Sequence, residues 1–204
     1  MTIASDRSQS KTTARPMTLE EYLNHDDGTD IPDELVDGVL VKMGAENTGN
    51  INTAMFLISV FLQFLPYDRI YRGTEVWVPS KLTTVRYPDL LVLTEAGAER
   101  LPRSQRSLIT SQMPAPALVV EVVSPGKEGT ENYDQDYIEK RREYAARGIP
   151  EYWIIDPVRE IVLVLTLQGQ TYQEQRFEGT ATIVSPTFPR LTLTAEQVLT
   201  AGKP

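Results

Sequence analysis

Residues 117–125, Ala-Leu-Val-Val-Glu-Val-Val-Ser-Pro, set a single carboxylate, Glu121, inside an otherwise unbroken apolar run. A strand this apolar is one covered on both faces, and Pro125 closes it. An ionised carboxylate in such surroundings is costly unless it is paired, hydrogen-bonded or bound to a cation. Glu121 therefore needs a partner, either an ordinary ion pair (or water at the strand end) or a functional one. Two further stretches bear on the choice. Tyr87-Pro88-Asp89-Leu90-Leu91-Val92-Leu93 is a second apolar strand with an acid at its start, and residues 133–148 form a helix whose packed face carries a lysine. Asp, Glu and Lys presented from two core strands and a helix are the ingredients of a metal-dependent hydrolytic site.

The chain has 204 residues with 41% hydrophobic content, enough for one domain that buries about 70% of its unfolded surface. We expect residues 1–16, Ser/Thr-rich with Arg7, Lys11 and Arg15, to be a disordered tail, and 17–204 to be that domain. There is no cysteine, which excludes disulfides, thiol nucleophiles and thiolate zinc sites and fits a reducing compartment. The single histidine, His25, lies in an acidic, Gly-containing loop and reads as solvated, so mechanisms built on several histidines are excluded. A net charge of -8 counts against a basic nucleic-acid coat, although a local basic groove can coexist with an acidic remainder. No apolar run is long enough to span a bilayer and the N-terminus lacks a secretory apolar segment, so the expected location is cytoplasmic, with no membrane partner.

In chain order, Thr18-Leu19-Glu20-Glu21 is a capping box that opens a short helix through Leu23. Glu34-Leu35-Val36-Asp37-Gly38-Val39-Leu40-Val41 reads as a hairpin about an Asp-Gly turn, with Glu34 at its mouth. Ile51, Ala54, Met55, Ile58, Phe61, Leu62 and Leu65 recur at helical spacing, predicting a packed helix over 50–65 that Pro66 ends. Strands are expected at 69–78 and 84–93. The polar stretch 94–114, with Arg100, Arg103 and Arg106, is expected to be a solvated surface insertion. After a polar connection at 126–132 comes the helix Tyr133–Arg147, stopped by Gly148 and Pro150. A core strand at 151–157, a hairpin of 160–167 with 170–177, a strand near 180–184 and a short helix capped by Thr194 complete the chain. Strands around two long helices predict a mixed α/β sheet with helices on its faces.

On a helical wheel Tyr133, Asp136, Tyr137, Lys140, Tyr144 and Arg147 fall within about 100° of one another. Gln135, Glu139, Arg142 and Glu143 fall on the other side. Lys140 thus faces the sheet and Arg142 faces water. Asp136, four residues before Lys140, also permits a plain helix ion pair worth a few tenths of a kcal/mol.

The blocks Tyr-Pro-Asp-Leu-Leu-Val-Leu (87–93), Val-Val-Glu-Val-Val-Ser-Pro (119–125) and the run from Asp136 to Pro157, Asp-Tyr-Ile-Glu-Lys-Arg-Arg-Glu-Tyr through Glu-Tyr-Trp-Ile-Ile-Asp-Pro, resemble the Uma-two family of restriction-endonuclease-type proteins, within the PD-(D/E)XK nuclease superfamily. The likeness runs from about residue 17 to 200 and includes Glu-Leu-Val-Asp-Gly (34–38) and Gly-Thr-Glu-Val (73–76). It implies an α/β (α+β) fold with a restriction-endonuclease-like mixed β-sheet core flanked by helices. It implies further that Asp89 and Glu121 sit together and hold Mg²⁺, with Mn²⁺ as a substitute, and that a lysine helps a water attack a DNA phosphodiester.

One position departs from the superfamily motif. Val123 stands where a lysine is expected two residues after Glu121, and the family's helical lysine at the position of Lys140 suggests the replacement. The expected site is therefore Asp89, Glu121 and Lys140, with Glu34 as an extra metal-holding acid and Glu75 as a weaker candidate. Glu34 at a hairpin end has the alternative of being simply solvated. The expected activity is metal-dependent endonucleolytic cleavage of DNA by a homodimer, since cutting both strands takes two sites. The alternative is a non-catalytic module of the same fold, used for oligomerisation or nucleic-acid binding, with its acids in an ion-pair network around Lys140.

Overall fold

The structure, a computed structural model, describes residues 15–26, 28, 32–44, 46–102, 106–124 and 134–203. Of the expected tail at 1–16, residues 1–14 lie outside the described residues, as do Arg103, the 126–132 connection and Tyr133, while Arg15 pairs with Glu21 of the first helix. The chain opens with α1 (Leu19–Leu23), whose Thr18 and Glu21 form the expected reciprocal capping box. The hairpin of β1 (Asp33–Val36) and β2 (Val39–Lys42) follows, in register from Asp33↔Lys42 to Val36↔Val39. Its turn places Asp37 and Gly38 at positive φ, the geometry that an Asp-Gly pair tolerates. After α2 (Thr48–Phe61) and a 3₁₀ turn at Tyr67–Arg69 come β3 (Ile70–Tyr71), β4 (Glu75–Pro79), β5 (Thr83–Arg86) and β6 (Leu90–Val92). The chain continues through α3 (Glu95–Arg100), β7 (Leu108–Ile109) and β8 (Leu118–Val122). A π-helical turn, Gln135–Glu139, runs directly into α4 (Lys140–Arg147), which Gly148 caps. The last elements are β9 (Glu151–Asp156), β10 (Ile161–Gln168), β11 (Thr171–Phe177) and α5 (Ala195–Thr200).

The strands form two sheets where the sequence predicted one. The first has the order β2-β1-β5-β4-β7, the second β11-β10-β9-β8-β6-β3. The expected strands 69–78 and 84–93 are each divided between them. Gly73 bends the first at positive φ, and Pro88, which has no N–H for a ladder, breaks the second. The expected surface insertion at 94–114 contains α3 and an edge strand, β7, that pairs in parallel with β4. Residues 180–184 supply only an isolated bridge, Thr182↔Thr194, in place of the expected strand.

The second sheet is apolar on both faces. Leu90, Val92, Leu118, Val120, Val122, Trp153 and Ile155 face α2, α5 and the C-terminal loop. Leu91, Leu93, Val119, Val123, Tyr152 and Ile154 face Tyr144, Ala145 and Ile149 of the α4 segment together with Val76 and Val78 of β4. The α4 segment is thus packed between the two sheets. Alternation places Glu121 with Val119 and Val123, on the α4 side.

The buried stripe of α2 is Asn50, Thr53, Ala54, Leu57 and Phe61, rotated from the expected one, and Met55 and Leu62 are exposed. The rotation follows from Asn50, whose side chain donates to the Val122 carbonyl at 2.9 Å and turns a polar residue inward. No described helix is long and apolar enough to cross a membrane.

Candidate active site

β6 and β8 are antiparallel with Leu90 opposite Val120, so continuing the register by one residue brings Asp89 level with Glu121 on the α4 side of the sheet. Asp89 Oδ2 accepts the Val122 N–H at 2.6 Å, which ties the Pro-Asp corner to β8. Lys140 opens α4 and is 5% exposed; its Nζ lies 2.9 Å from Glu121 Oε2 and 3.0 Å from Asp136 Oδ1. The other Glu121 oxygen accepts from the Tyr144 hydroxyl at 2.7 Å. The sequence-predicted residues Asp89, Glu121, Lys140 and Glu34 all line one cleft of about 820 Å³.

Glu34 is buried, 2% exposed, and so is not the solvated hairpin-end acid that the sequence allowed. One of its oxygens accepts from Arg86 at 2.8 Å and Gln135 at 2.9 Å. The other takes the Tyr87 N–H at 3.0 Å and stands 3.8 Å from Lys140 Nζ. Arg86, fully buried at the end of β5, also forks onto Glu143 at 2.7 and 3.0 Å and reaches Glu139 at 3.3 Å. Glu34 therefore links two cation centres, Arg86 and Lys140.

This network corrects the helical wheel. Gln135, Glu139 and Glu143 were expected on the face away from the sheet. They contact Glu34 and Arg86 because a second sheet lies there, and because the wide π turn shifts the register of the residues before Lys140. Arg142 is exposed as expected. Arg86, Glu143 and Gln135 were missed by the sequence reading. The signal for Arg86 was an arginine within the β-branched run Thr83-Thr84-Val85, a charge as out of place as Glu121.

Electrostatics divides the acids. Burial pushes Glu121 up to about 8, with Lys140 pulling it down and Asp136, Asp89 and Glu34 adding to the rise. Burial likewise raises Asp89 to about 6, against its bond from Val122 N–H and the attraction of Lys140. Glu34 moves the other way: although burial works to raise it, Lys140, Arg86 and the Tyr87 N–H together hold it below the usual carboxylate range. Lys140, despite burial, is held well above the ordinary lysine value by Asp136, Glu121 and Glu34. Thus Arg86 and Lys140 outweigh burial at Glu34, whereas at Asp89 and Glu121 burial outweighs the attraction of Lys140.

Glu75 stands apart from this cleft. It accepts from Tyr22 Oη at 2.5 Å and from Arg106 at 2.7 and 2.6 Å, which ties β4 to α1. Arg106, expected to be solvated, is thereby fixed in a partly buried pair. His25 is exposed in the loop after α1. Among the described residues no three His, Asp or Glu side chains are clustered so as to hold a metal ion by themselves.

A mixed sheet that carries Asp89 and Glu121 side by side at one end, flanked by helices, is a restriction-endonuclease-like core. The sequence profile of the Uma2 family, described as "Putative restriction endonuclease", matches residues 19–196, and the chain belongs to that family. The fold is shared with a solved structure described as "a putative nuclease belonging to DUF820 from Anabaena variabilis ATCC 29413". That likeness has a TM-score of 0.71 at 18% identity and covers 92% of this chain and 99% of the other. No curated protein matches the chain.

Proposed function

We propose that the chain is a divalent-metal-dependent nuclease that hydrolyses phosphodiester bonds in DNA. The observation that carries this reading is the convergence of Asp89, Glu121 and Lys140 in one cleft, where burial raises both carboxylates in spite of Lys140. Family membership and the shared nuclease-type fold support it.

The donor set fits Mg²⁺ or Mn²⁺. Asp89 and Glu121 offer hard oxygens, and two carboxylates leave the remaining positions to water and substrate, which suits an ion that dehydrates reluctantly. Once bound, such an ion supplies electrophilic stabilisation of the charge that develops on the phosphoryl oxygens and the leaving group. Lys140, held protonated by Asp136 and Glu34, orients the attacking water and stabilises the negative charge that accumulates on it. Glu34 is ion-paired with the buried Arg86 and held below the usual carboxylate range, so its role is to hold Lys140 and Arg86 in place, and the metal falls to Asp89 and Glu121. Cutting both strands of a duplex would use two copies of the chain.

The test is nicking of supercoiled plasmid in Mg²⁺, Mn²⁺ or EDTA by the wild type and by Asp89→Asn. Metal-dependent nicking lost in the variant supports the reading. A folded wild type that neither nicks nor binds metal refutes it.

The fold also permits a non-catalytic reading, favoured by the buried pairs of Lys140 with Glu121 and Asp136. It predicts that Asp89→Asn changes neither metal binding nor any activity on DNA.

A further inference from the structure

Arg72 and Glu46 form an ion pair on the wall of the same cleft, and the site described above uses neither. Arg72 follows β3, whose pairing with β6 sets Tyr71 opposite Leu91; one step further along that register brings Arg72 level with Leu90, next to Asp89. Gly73 holds this corner. Its φ is +79°, and a side chain there would meet the Tyr87 hydroxyl at 3.0 Å, so the chain passes close against the end of the Tyr87 side chain. Glu46 sits immediately before Asn47, the residue that caps α2. The first turn of α2 is tied beside Glu121 by the Asn50 bond to the Val122 carbonyl. The pair therefore closes across the cleft from the β3 side to the α2 side.

Four cations among the described residues line the cleft and differ in availability: Lys42, at the end of β2, is exposed. Arg86 is fully buried and Lys140 nearly so, each committed to buried acids. Arg72 is different: its side chain is 32% exposed, its ion pair is with Glu46, itself 34% exposed, and it senses the charge of Asp89. A half-exposed pair of this kind contributes little to stability and exchanges one anionic partner for another at low cost. A guanidinium on the wall of the cleft that holds Asp89 matches a phosphodiester oxygen in charge and in fork geometry.

We propose that Arg72 is a phosphate-contacting residue of the cleft and that Glu46 is an internal stand-in for the substrate's phosphate, which the nucleic-acid backbone displaces on binding. The proposal rests on the nuclease reading above and adds to it a residue that contacts the substrate and an acid that competes with it. Glu46 then acts as a latch: it lowers affinity for any polyanion that cannot displace it, in a cleft whose other acids already disfavour one.

The test is fluorescence anisotropy of a short labelled DNA duplex, with Ca²⁺ in place of Mg²⁺ so that binding is read without cleavage, over a range of KCl concentrations. Thermal unfolding of each variant serves as the control for folding. Arg72→Ala is expected to weaken binding about five- to ten-fold and to reduce the slope of log K against log salt by about one. Arg72→Lys should keep that slope. Glu46→Gln should tighten binding by about two- to five-fold, the opposite sign from loss of a merely structural pair, and by less in the Arg72→Ala background, where only its own repulsion of the polyanion is removed. Unchanged binding in all variants, or weaker binding in Glu46→Gln, overturns the latch while wild-type binding and nicking leave the nuclease reading standing. A wild type that binds no duplex overturns both.

Discussion

Replacing Glu121 by Gln keeps the shape of the side chain and removes its charge, and the structure gives the expected sign for both stability and metal binding. Glu121 is 4% exposed and its carboxyl is raised from an ordinary 4.5 to about 8, first by burial and then by Asp136, Asp89 and Glu34. At pH 7 the unfolded chain gains from ionising this group whereas the folded chain does so poorly, a difference of two to three pKa units, or about 3 kcal/mol as an upper figure. The amide loses little in exchange: its oxygen can accept from Lys140, and its NH₂ can donate to Tyr144 once that hydroxyl rotates. The metal-free variant should therefore be more stable than wild type by on the order of 2 kcal/mol at pH 7, a rise in Tm of about 4–8 °C for a chain of this size. The same variant should lose the Tm increase that Mg²⁺ or Mn²⁺ gives the wild type. Differential scanning calorimetry with and without metal reads both quantities. Destabilisation by about 3 kcal/mol or more would show that Glu121 is the structural counterion of Lys140, and a retained metal shift would remove it from the metal site.

Other consequences follow from the same network. For Asp89 and Glu121 the folded pKa lies above the unfolded one, so the folded state holds extra protons from about pH 4 to 6 and from about pH 4.5 to 8 respectively; these groups favour folding at the acid end and lose that contribution as pH rises. The Tm shift produced by Mg²⁺ should accordingly be small at pH 5 and grow through pH 8, and calorimetric titrations in buffers of different ionisation enthalpy should record proton release; a pH-independent shift would contradict the assignment. Arg86→Met leaves Glu34 and Glu143 buried without their cation and should cost roughly 3–5 kcal/mol in urea unfolding. Lys140→Ala should abolish cleavage and also reduce stability, because Glu121 and Asp136 lose their shared partner; full turnover in that variant would exclude Lys140 from the chemistry.

Much of this site was legible in the chain because a charge in an apolar strand announces itself. Glu121 among valines and Asp89 after a proline were found that way, and the tyrosine-bearing face pointed Lys140 inward, where the structure places it. The wheel failed for Gln135, Glu139 and Glu143 for a topological reason: periodicity reports that one face of a helix is apolar, and says nothing of a second sheet closing over the opposite face with a buried arginine for the acids to bind. Glu34 was undervalued on the same ground, since its burial depends on Arg86 and Gln135, which are remote in sequence. Local signals held where local physics decides: the Thr18 and Thr194 caps, the Asp37-Gly38 turn and the β10–β11 hairpin all formed as expected. They gave way where long-range pairing decides, in the division of 69–78 and 84–93 between two sheets, and in α2, whose exposed Met55 fits the apolar period as well as its buried Ala54 does.

The most direct test of the central claim is the anomalous difference map of a crystal grown with Mn²⁺. The account predicts a peak between the Asp89 and Glu121 carboxylates, within coordinating distance of both and absent from crystals of Asp89→Asn. Mn²⁺ found elsewhere on the chain, or no peak at a concentration that supports cleavage, would contradict it.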